Sequence, residues 1–279
     1  MTATSNVRRS LLLYALLSVG CGGDDATDPS DVTYGETTFV VLVNPTINSA
    51  NGVSVAPPGA MRSGVSLGVD GGPSSTSGAS GVAVLAPIAA GARTLSLSGG
   101  GDSGDAAVSI ADGDLREVAV ALDGSGAAVM AEVRYPFGGA VVEVGPSTPL
   151  SEVNAALSQS NAIVFFRSGT YAGDLQFSGS NVTLFGEGAG GGQVTLDGNV
   201  TVSGSGNRIR GARITGDLSV PGSDAGLSFS TVSGTATISG SSPSLLNNGF
   251  CGAVTVSGSA PLLLGNAGLE PIAAVAGGC

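Results

Sequence analysis

Residues 199–216 read NVTVSGSGNRIRGARITG, and the chain then repeats that pattern three times without a gap: DLSVPGSDAGLSFSTVSG (217–234), TATISGSSPSLLNNGFCG (235–252) and AVTVSGSAPLLLGNAGLE (253–270). At this 18-residue period one column holds Val200, Leu218, Ala236 and Val254, and a second holds Val202, Val220, Ile238 and Val256. A third holds Ile209, Leu227, Leu245 and Leu263, while Gly204, Gly222, Gly240 and Gly258 keep one turn position, each followed by serine. Such self-similarity predicts a solenoid whose coils stack like side chains on one another. VTV, LSV and TIS are short alternating runs closed by glycine, with no 3.6-residue period, so the coils are β. They form a parallel β-helix with strands about 4.8 Å apart from coil to coil. A left-handed hexapeptide helix needs an aliphatic every six residues. The intermediate position here holds Arg208, Gly226, Ser244 and Leu262, which predicts the right-handed form. With Ile209 and Ile214 in core columns, alternation turns Arg208, Arg210 and Arg213 outward, where they are expected to be exposed.

Upstream, NAIVFFRSGTYAGDLQFSGSNVTLFGEGAGGGQVTLDG (161–198) carries Ile163-Val164-Phe165-Phe166, Gly169-Thr170-Tyr171, Asn181-Val182-Thr183-Leu184 and Gly186-Glu187-Gly188. This stretch resembles the opening coils of pectin-lyase-like right-handed β-helices, and the resemblance runs from about 141 to 270. Leu175, Phe177, Gly179 and Ser180 match the repeat columns at an offset of 25 residues, with GEGAGGG as the additional stretch. In TPLSEVNAALSQ, Thr148 is the expected N-cap of a helix with Pro149 in its first turn. Leu150, Val153 and Leu157 on one face would plug the open end of the solenoid. The resemblance also implies that Asn248 and Asn266, one period apart, form a ladder bonded to each other and to backbone amides, a structural role.

Before the solenoid, TFVVLVN (38–44), VSLGV (65–69), VAVLAPI (82–88), ARTLSLS (92–98), AAVSI (106–110), REVAVAL (116–122) and AAVMAEVR (127–134) alternate with Gly/Asp/Ser turns. Seven such runs predict an antiparallel β-sandwich over 33–135. Gly81-Val82-Ala83-Val84-Leu85, Ile88, Gly91 and Thr94-Leu95-Ser96-Leu97 resemble carboxypeptidase-regulatory-like (prealbumin-type) domains, which implies a spacer or binding module. The segment Asp102-Ser103-Gly104-Asp105 lacks the ligand spacing of a calcium loop and is expected to be a solvated hairpin. The chain is thus all-β: a small antiparallel β-sandwich, then a right-handed parallel β-helix of 18-residue coils over 137–279 with an N-terminal capping helix.

Arg8 and Arg9 precede LLLYALL (11–17), an apolar stretch too short to span a bilayer, and Ser18-Val19-Gly20-Cys21 follows. With the polar run GGDDATDPSD behind it, this resembles a bacterial lipoprotein signal, which implies removal of 1–20, a lipid on Cys21 and a flexible tether over 21–32. Leu17 stands four before the cysteine where that family has leucine three before it. Ser18 and Gly20 also suit an ordinary signal-peptidase site, and VRRSLL a twin-arginine signal. Every alternative exports the chain. The expected location is the cell envelope, at the outer membrane, with the membrane as partner through the lipid. Cys251 and Cys279 then make an even pair in an oxidising compartment, and a disulfide pinning the tail is expected over two free thiols.

Of 279 residues, 10 are arginine and 21 acidic, for a net charge of −11, with no lysine, histidine or tryptophan. No phosphate-tracking cationic footprint exists, so nucleic acid is not an expected partner. Histidine-based triads, zinc ligands and proton shuttles are excluded. Uronate lyases of the resembled fold use an arginine base and calcium-binding carboxylates. That implies Arg208, Arg210, Arg213, Asp197 and Asp217 as a contact set for an anionic sugar, with calcium as the cofactor of that alternative alone. The coils lack clustered aspartates, and the three arginines give way to Gly226, Ser228 and Thr231 one coil on. The expectation is a non-enzymatic module for polysaccharide or envelope-protein contact, or a spacer, with no catalytic residue, no metal and no cofactor. Self-association through an uncovered end coil is the third alternative.

Overall fold

The computed structural model describes residues 32, 35–45, 62–78, 81–135, 141–186 and 194–266. The signal segment, Cys21, the tether except for Val32, and Cys279 lie outside them.

Three parallel sheets wind through residues 141–264. The first has seven strands, from Val141–Val144 through Ile163–Phe166, Thr183–Gly186, Arg208–Arg210, Gly226–Ser228 and Ser244–Leu246 to Leu262–Leu264. The second runs from Gly169–Ala172 through Val194–Asp197, Ala212–Ile214 and Thr231–Val232 to Gly249–Phe250. The third runs from Leu175–Phe177 through Val200–Val202, Leu218–Val220 and Ala236–Ile238 to Val254–Val256. The period read in the sequence is the register of these sheets: Ile209 pairs with Leu227, Leu227 with Leu245 and Leu245 with Leu263, while Leu175 pairs with Val200 across the longer coil. Residues 141–264 are a parallel β-helix.

Each coil turns because single residues enter the left-handed region. Asn161, Asn181, Gly206, Asp224, Ser242 and Ala260 stand before successive strands of the first sheet with φ between 50° and 69°. Gly211, Phe229, Asn247 and Gly265 take the same conformation after it. Glycine and asparagine adopt it readily, whereas a bulky residue such as Phe229, at φ 48°, is strained. The Gly204/Gly222/Gly240/Gly258 column has a different cause. There a Cβ would strike the carbonyl of the residue one coil earlier, so backbone stacks directly on backbone.

The solenoid interior is one apolar cluster that includes Leu184, Ile209, Leu227, Leu245, Ile214, Val232, Val200 and Leu218. Its first end is closed by α1 (Leu150–Leu157), which buries Val153, Ala156 and Leu157 against it. Leu150 is more than a third exposed. Thr148 is not the N-cap: Pro149 holds that position without a side-chain cap, and Thr148 Oγ1 accepts from Gly145 N at 3.0 Å instead. Asn154 finishes the edge of the third sheet by donating to Asp174 O at 3.1 Å and accepting from Gln176 N at 2.8 Å.

The preceding sandwich contains β1 (Thr38–Val43), β2 (Ser66–Val69), β3 (Ser74–Thr76), β4 (Val82–Leu85), β5 (Gly91–Gly99), β6 (Asp102–Ile110), β7 (Leu115–Asp123) and β8 (Gly126–Tyr135). One sheet has the order β4-β1-β7-β8 and the other β3-β2-β5-β6. All seven expected runs are strands, and β3 is additional. The sandwich is not wholly antiparallel, because β1 pairs with β7 in parallel. Phe39, Val41, Leu85, Leu95, Val118 and Val120 fill the space between the two sheets.

The opposite face of β4-β1-β7-β8 does not meet solvent. Val40, Leu42, Val82, Leu115, Ala119, Val133 and Tyr135 pack on Ile163, Phe185, Leu246 and Leu264, which point outward from the solenoid's seven-stranded sheet. That makes β1 a strand buried on both sides, all six residues of TFVVLV included, and explains its unbroken apolar run.

Candidate functional site

The densest polar constellation among the described residues lies inside this joint. β7 sends Val118 and Val120 into the sandwich core and Leu115, Glu117 and Ala119 toward the solenoid. On the central strand of the seven, Ile209 turns inward and Arg210 outward to meet Glu117. Arg210 Nε donates to Glu117 Oε1 at 2.8 Å, and the side chains are 2% and 0% exposed. Ser228 Oγ, one coil beyond Arg210, donates to the same oxygen at 3.2 Å. Tyr135 OH donates to Glu117 Oε2 at 3.1 Å and lies 2.5 Å from Ser228 Oγ. The Arg210 guanidinium also faces the rings of Phe185 and Phe229, at 5.3 and 5.0 Å from their centroids. Burial pushes the Glu117 carboxyl above its usual range, with the Arg210 charge and the three hydrogen bonds opposing the shift. Burial and the neighbouring Glu117 push the Tyr135 phenol up as well.

This corrects the expectation that all three arginines are solvent-facing. Arg210 does point away from the solenoid, but into the sandwich. Arg208, on the same strand, is part-buried and donates through Nη1 to Asp224 O at 3.1 Å. Arg213 is exposed, on the second sheet. The contact set is therefore divided: one arginine buried, one beside it against backbone, one on another sheet.

The carboxylates of that set serve the coil stack. Asp197 Oδ1 accepts from Thr215 Oγ1 at 2.8 Å. Asp217 belongs to an exposed ladder in which each side chain holds the backbone of the next coil. Asp174 Oδ1 accepts from Asn199 N at 2.8 Å, Asn199 Oδ1 from Asp217 N at 2.9 Å, and Asp217 Oδ1 from Thr235 N at 2.7 Å and Thr235 Oγ1 at 2.9 Å. The Thr235 donors hold the Asp217 carboxyl below its ordinary range. Among the described residues no three His, Cys, Asp or Glu side chains converge as a metal centre requires. Asp102 of the acidic hairpin lies in β6 and pairs with Arg62 at 2.6 Å.

Asn248 and Asn266 are buried and bonded to each other, Asn248 Nδ2 donating to Asn266 Oδ1 at 2.9 Å. Their amides also donate to Leu227 O and Leu245 O, both at 2.8 Å. Asn248 Oδ1 accepts from Ser230 N at 3.0 Å, which extends the ladder by one coil. Sequence reasoning missed Asn207, fully buried, which accepts from Val182 N at 2.8 Å and donates to Gly179 O at 2.9 Å. It also missed Asn44, which bonds both backbone groups of Leu122 at 2.7 and 3.0 Å. Neither asparagine has a like residue one period away to signal it. Glu117 was missed because it sits in an ordinary alternating strand. Cys251, exposed just after Gly249–Phe250, the last strand of the second sheet, is disulfide-bonded.

Comparisons with protein-family models, with curated proteins and with solved structures return no match for this chain.

Proposed function

We propose that the chain is an exported, lipid-anchored cell-envelope protein whose folded body is a non-enzymatic contact module held off the membrane by its tether. The observation that carries this reading is Cys21 behind Arg8-Arg9 and LLLYALL, with a run of small and acidic residues leading to a body that begins near Val32.

The state of the ionisable side chains supports a binding role over a catalytic one. Glu117 and Arg210 neutralise each other out of solvent, and Asp197 and Asp217 hold backbone or a hydroxyl of neighbouring coils. None converges with the others on a cleft. With the first sheet given over to the sandwich, the third presents Gln176, Thr201, Ser219, Thr237 and Thr255 outward, one per coil. Such an uncharged row suits the hydroxyls of a neutral polysaccharide, whereas a net charge of −11 repels an anionic one.

The test is expression of the full chain in a diderm bacterium. The expected result is an N-terminal tryptic peptide that starts at Cys21 and carries diacylglyceryl and acyl mass, with the protein in the outer-membrane fraction. A Cys21→Ala chain that stays equally membrane-bound removes the anchor. Binding to insoluble neutral polysaccharide, weakened by a Thr201→Asp/Thr237→Asp variant, supports the contact face, and equal retention of that variant removes it.

A further inference from the structure

Two asparagines of this chain open an Asn-x-Thr triplet whose middle residue is not proline: Asn181-Val182-Thr183 and Asn199-Val200-Thr201. Such triplets are the acceptors of N-linked sugars in exported proteins, where the transferring enzyme reads the hydroxyl two residues beyond the asparagine. Bacterial enzymes of this kind ask in addition for a carboxylate two residues before it. Asp197 stands there for Asn199, in Asp197-Gly198-Asn199-Val200-Thr201, whereas Gly179 stands there for Asn181.

The folded coils separate the two asparagines in the same sense. Asn199 is exposed at the corner between Val194–Asp197 of the second sheet and Val200–Val202 of the third. Its Oδ1 accepts from Asp217 N at 2.9 Å, which fixes the orientation of the amide. Among the described residues its Nδ2 has no hydrogen-bond partner. A substituent on Nδ2 therefore leaves the ladder from Asp174 to Thr235 whole. Asn181 instead donates through Nδ2 to Asn161 Oδ1 at 3.0 Å, and its Oδ1 lies so close to Gly206 that a Cβ there would come within 2.2 Å of it.

We propose that Asn199 carries an N-linked oligosaccharide, attached as the chain is exported. The donor is an oligosaccharide on a polyprenyl diphosphate. Nδ2 bonds to the anomeric carbon of the reducing-end sugar and gives up one proton. The bond from that carbon to the diphosphate oxygen breaks, and the diphosphate leaves with the electron pair. Attachment comes before the coil closes, because Val200 is 1% exposed and its N–H donates to Asp217 O at 2.8 Å. Once folded, the triplet cannot leave the stack to enter an enzyme, whereas a chain that crosses the membrane unfolded presents it freely. The acceptor lies off the first sheet, so the joint with the sandwich stays clear of the sugar. The inference rests on the export reading and is independent of the lipid on Cys21.

Mass analysis of the full-length protein, purified from the envelope of the organism that makes it, tests the assignment. Cleavage before aspartate releases residues 174–196 and 197–216 as separate peptides with one triplet in each. The second peptide is expected to carry a ladder of sugar masses and the first none. A bare 197–216 peptide overturns the proposal, and an acylated Cys21 beside it keeps the anchor. A glycosylated peptide beside an unmodified Cys21 does the reverse. The residue roles are tested by intact mass of the full chain in a diderm host supplied with a bacterial oligosaccharyltransferase and its lipid-linked donor. Wild type should gain one oligosaccharide. Asn199→Asp keeps an acceptor for Asp217 N and Asp197→Asn keeps one for Thr215 Oγ1, so both should fold with unchanged circular dichroism and lose the added mass. An undiminished gain in either variant overturns the assignment.

Discussion

Arg210 of the solenoid and Glu117 of the sandwich form a 2.8 Å ion pair within a joint that excludes solvent from both. The pair's mutual attraction offsets a desolvation cost of several kcal/mol per ion, and the Tyr135 and Ser228 hydroxyls occupy the remaining carboxylate lone pairs. Around it the joint is apolar, from Val40 and Leu42 to Leu246 and Leu264. Area supplies the adhesion of such a joint. The charges set the register, since sliding the sandwich by one coil would put Ser228 or Phe185 where Arg210 now meets Glu117.

Removing one member should cost more than removing both. Glu117→Gln or Arg210→Met is expected to destabilise the protein by about 3–5 kcal/mol in urea unfolding, and Glu117→Leu/Arg210→Met by much less. Equal losses for single and double variants would falsify the coupling.

The same pair gives a pH dependence. The folded-state pKa of Glu117 lies above its unfolded value of 4.5, so the folded state holds this proton more tightly. Its contribution is fully present below pH 4.5 and is lost as pH rises through the folded pKa. In Arg210→Met the opposing charge is gone and the decline should steepen. Unfolding free energies of that variant between pH 4 and 8 should fall more sharply than those of wild type, and parallel curves would contradict the assignment.

Asp217 has the opposite sign. Its folded pKa lies below the usual 3.8, so the stability it adds is present above that value and disappears as pH falls through the folded pKa. Thr235→Val removes the hydroxyl donor and leaves the backbone N–H. The Asp217 carboxyl resonance should then titrate at a midpoint between that of wild type and 3.8.

Phe229 and Asn247 occupy the same left-handed corner on successive coils, at φ 48° and 52°. Glycine relieves the strain at both, by about 1 kcal/mol for a bulky residue. Phe229 also covers Arg210 and packs in the joint, contacts worth about 2 kcal/mol or more when desolvated. Phe229→Gly should therefore be net destabilising by about 1–2 kcal/mol, and Asn247→Gly within about 0.5 kcal/mol of wild type. Thermal melts of the two variants separate the cases.

Glycines divide in the same way. Gly240→Ala forces a Cβ into the Gly222 carbonyl, and should cost about 3 kcal/mol or prevent folding. Gly211→Ala meets nothing closer than 3.7 Å and pays only for its φ of 72°, about 1–2 kcal/mol. Urea midpoints near each other for the two would contradict direct backbone stacking.

The sequence by itself determined the coil period, the core columns, the seven sandwich runs and the position of the Asn248–Asn266 pair. Each is a local or periodic property: identical side chains recur at 18 residues because each stacks on its own kind one coil away, and alternation follows from the pleat. Only the tertiary structure decided that Arg210 is buried while Arg208 and Arg213 are not. Alternation states which way a side chain leaves its own sheet. What it then meets depends on a strand 93 residues earlier in the chain, whose Glu117 carries no periodic mark. The unbroken apolar run of β1 was the one trace of that joint in the sequence, because a strand covered on both faces has no polar side to show.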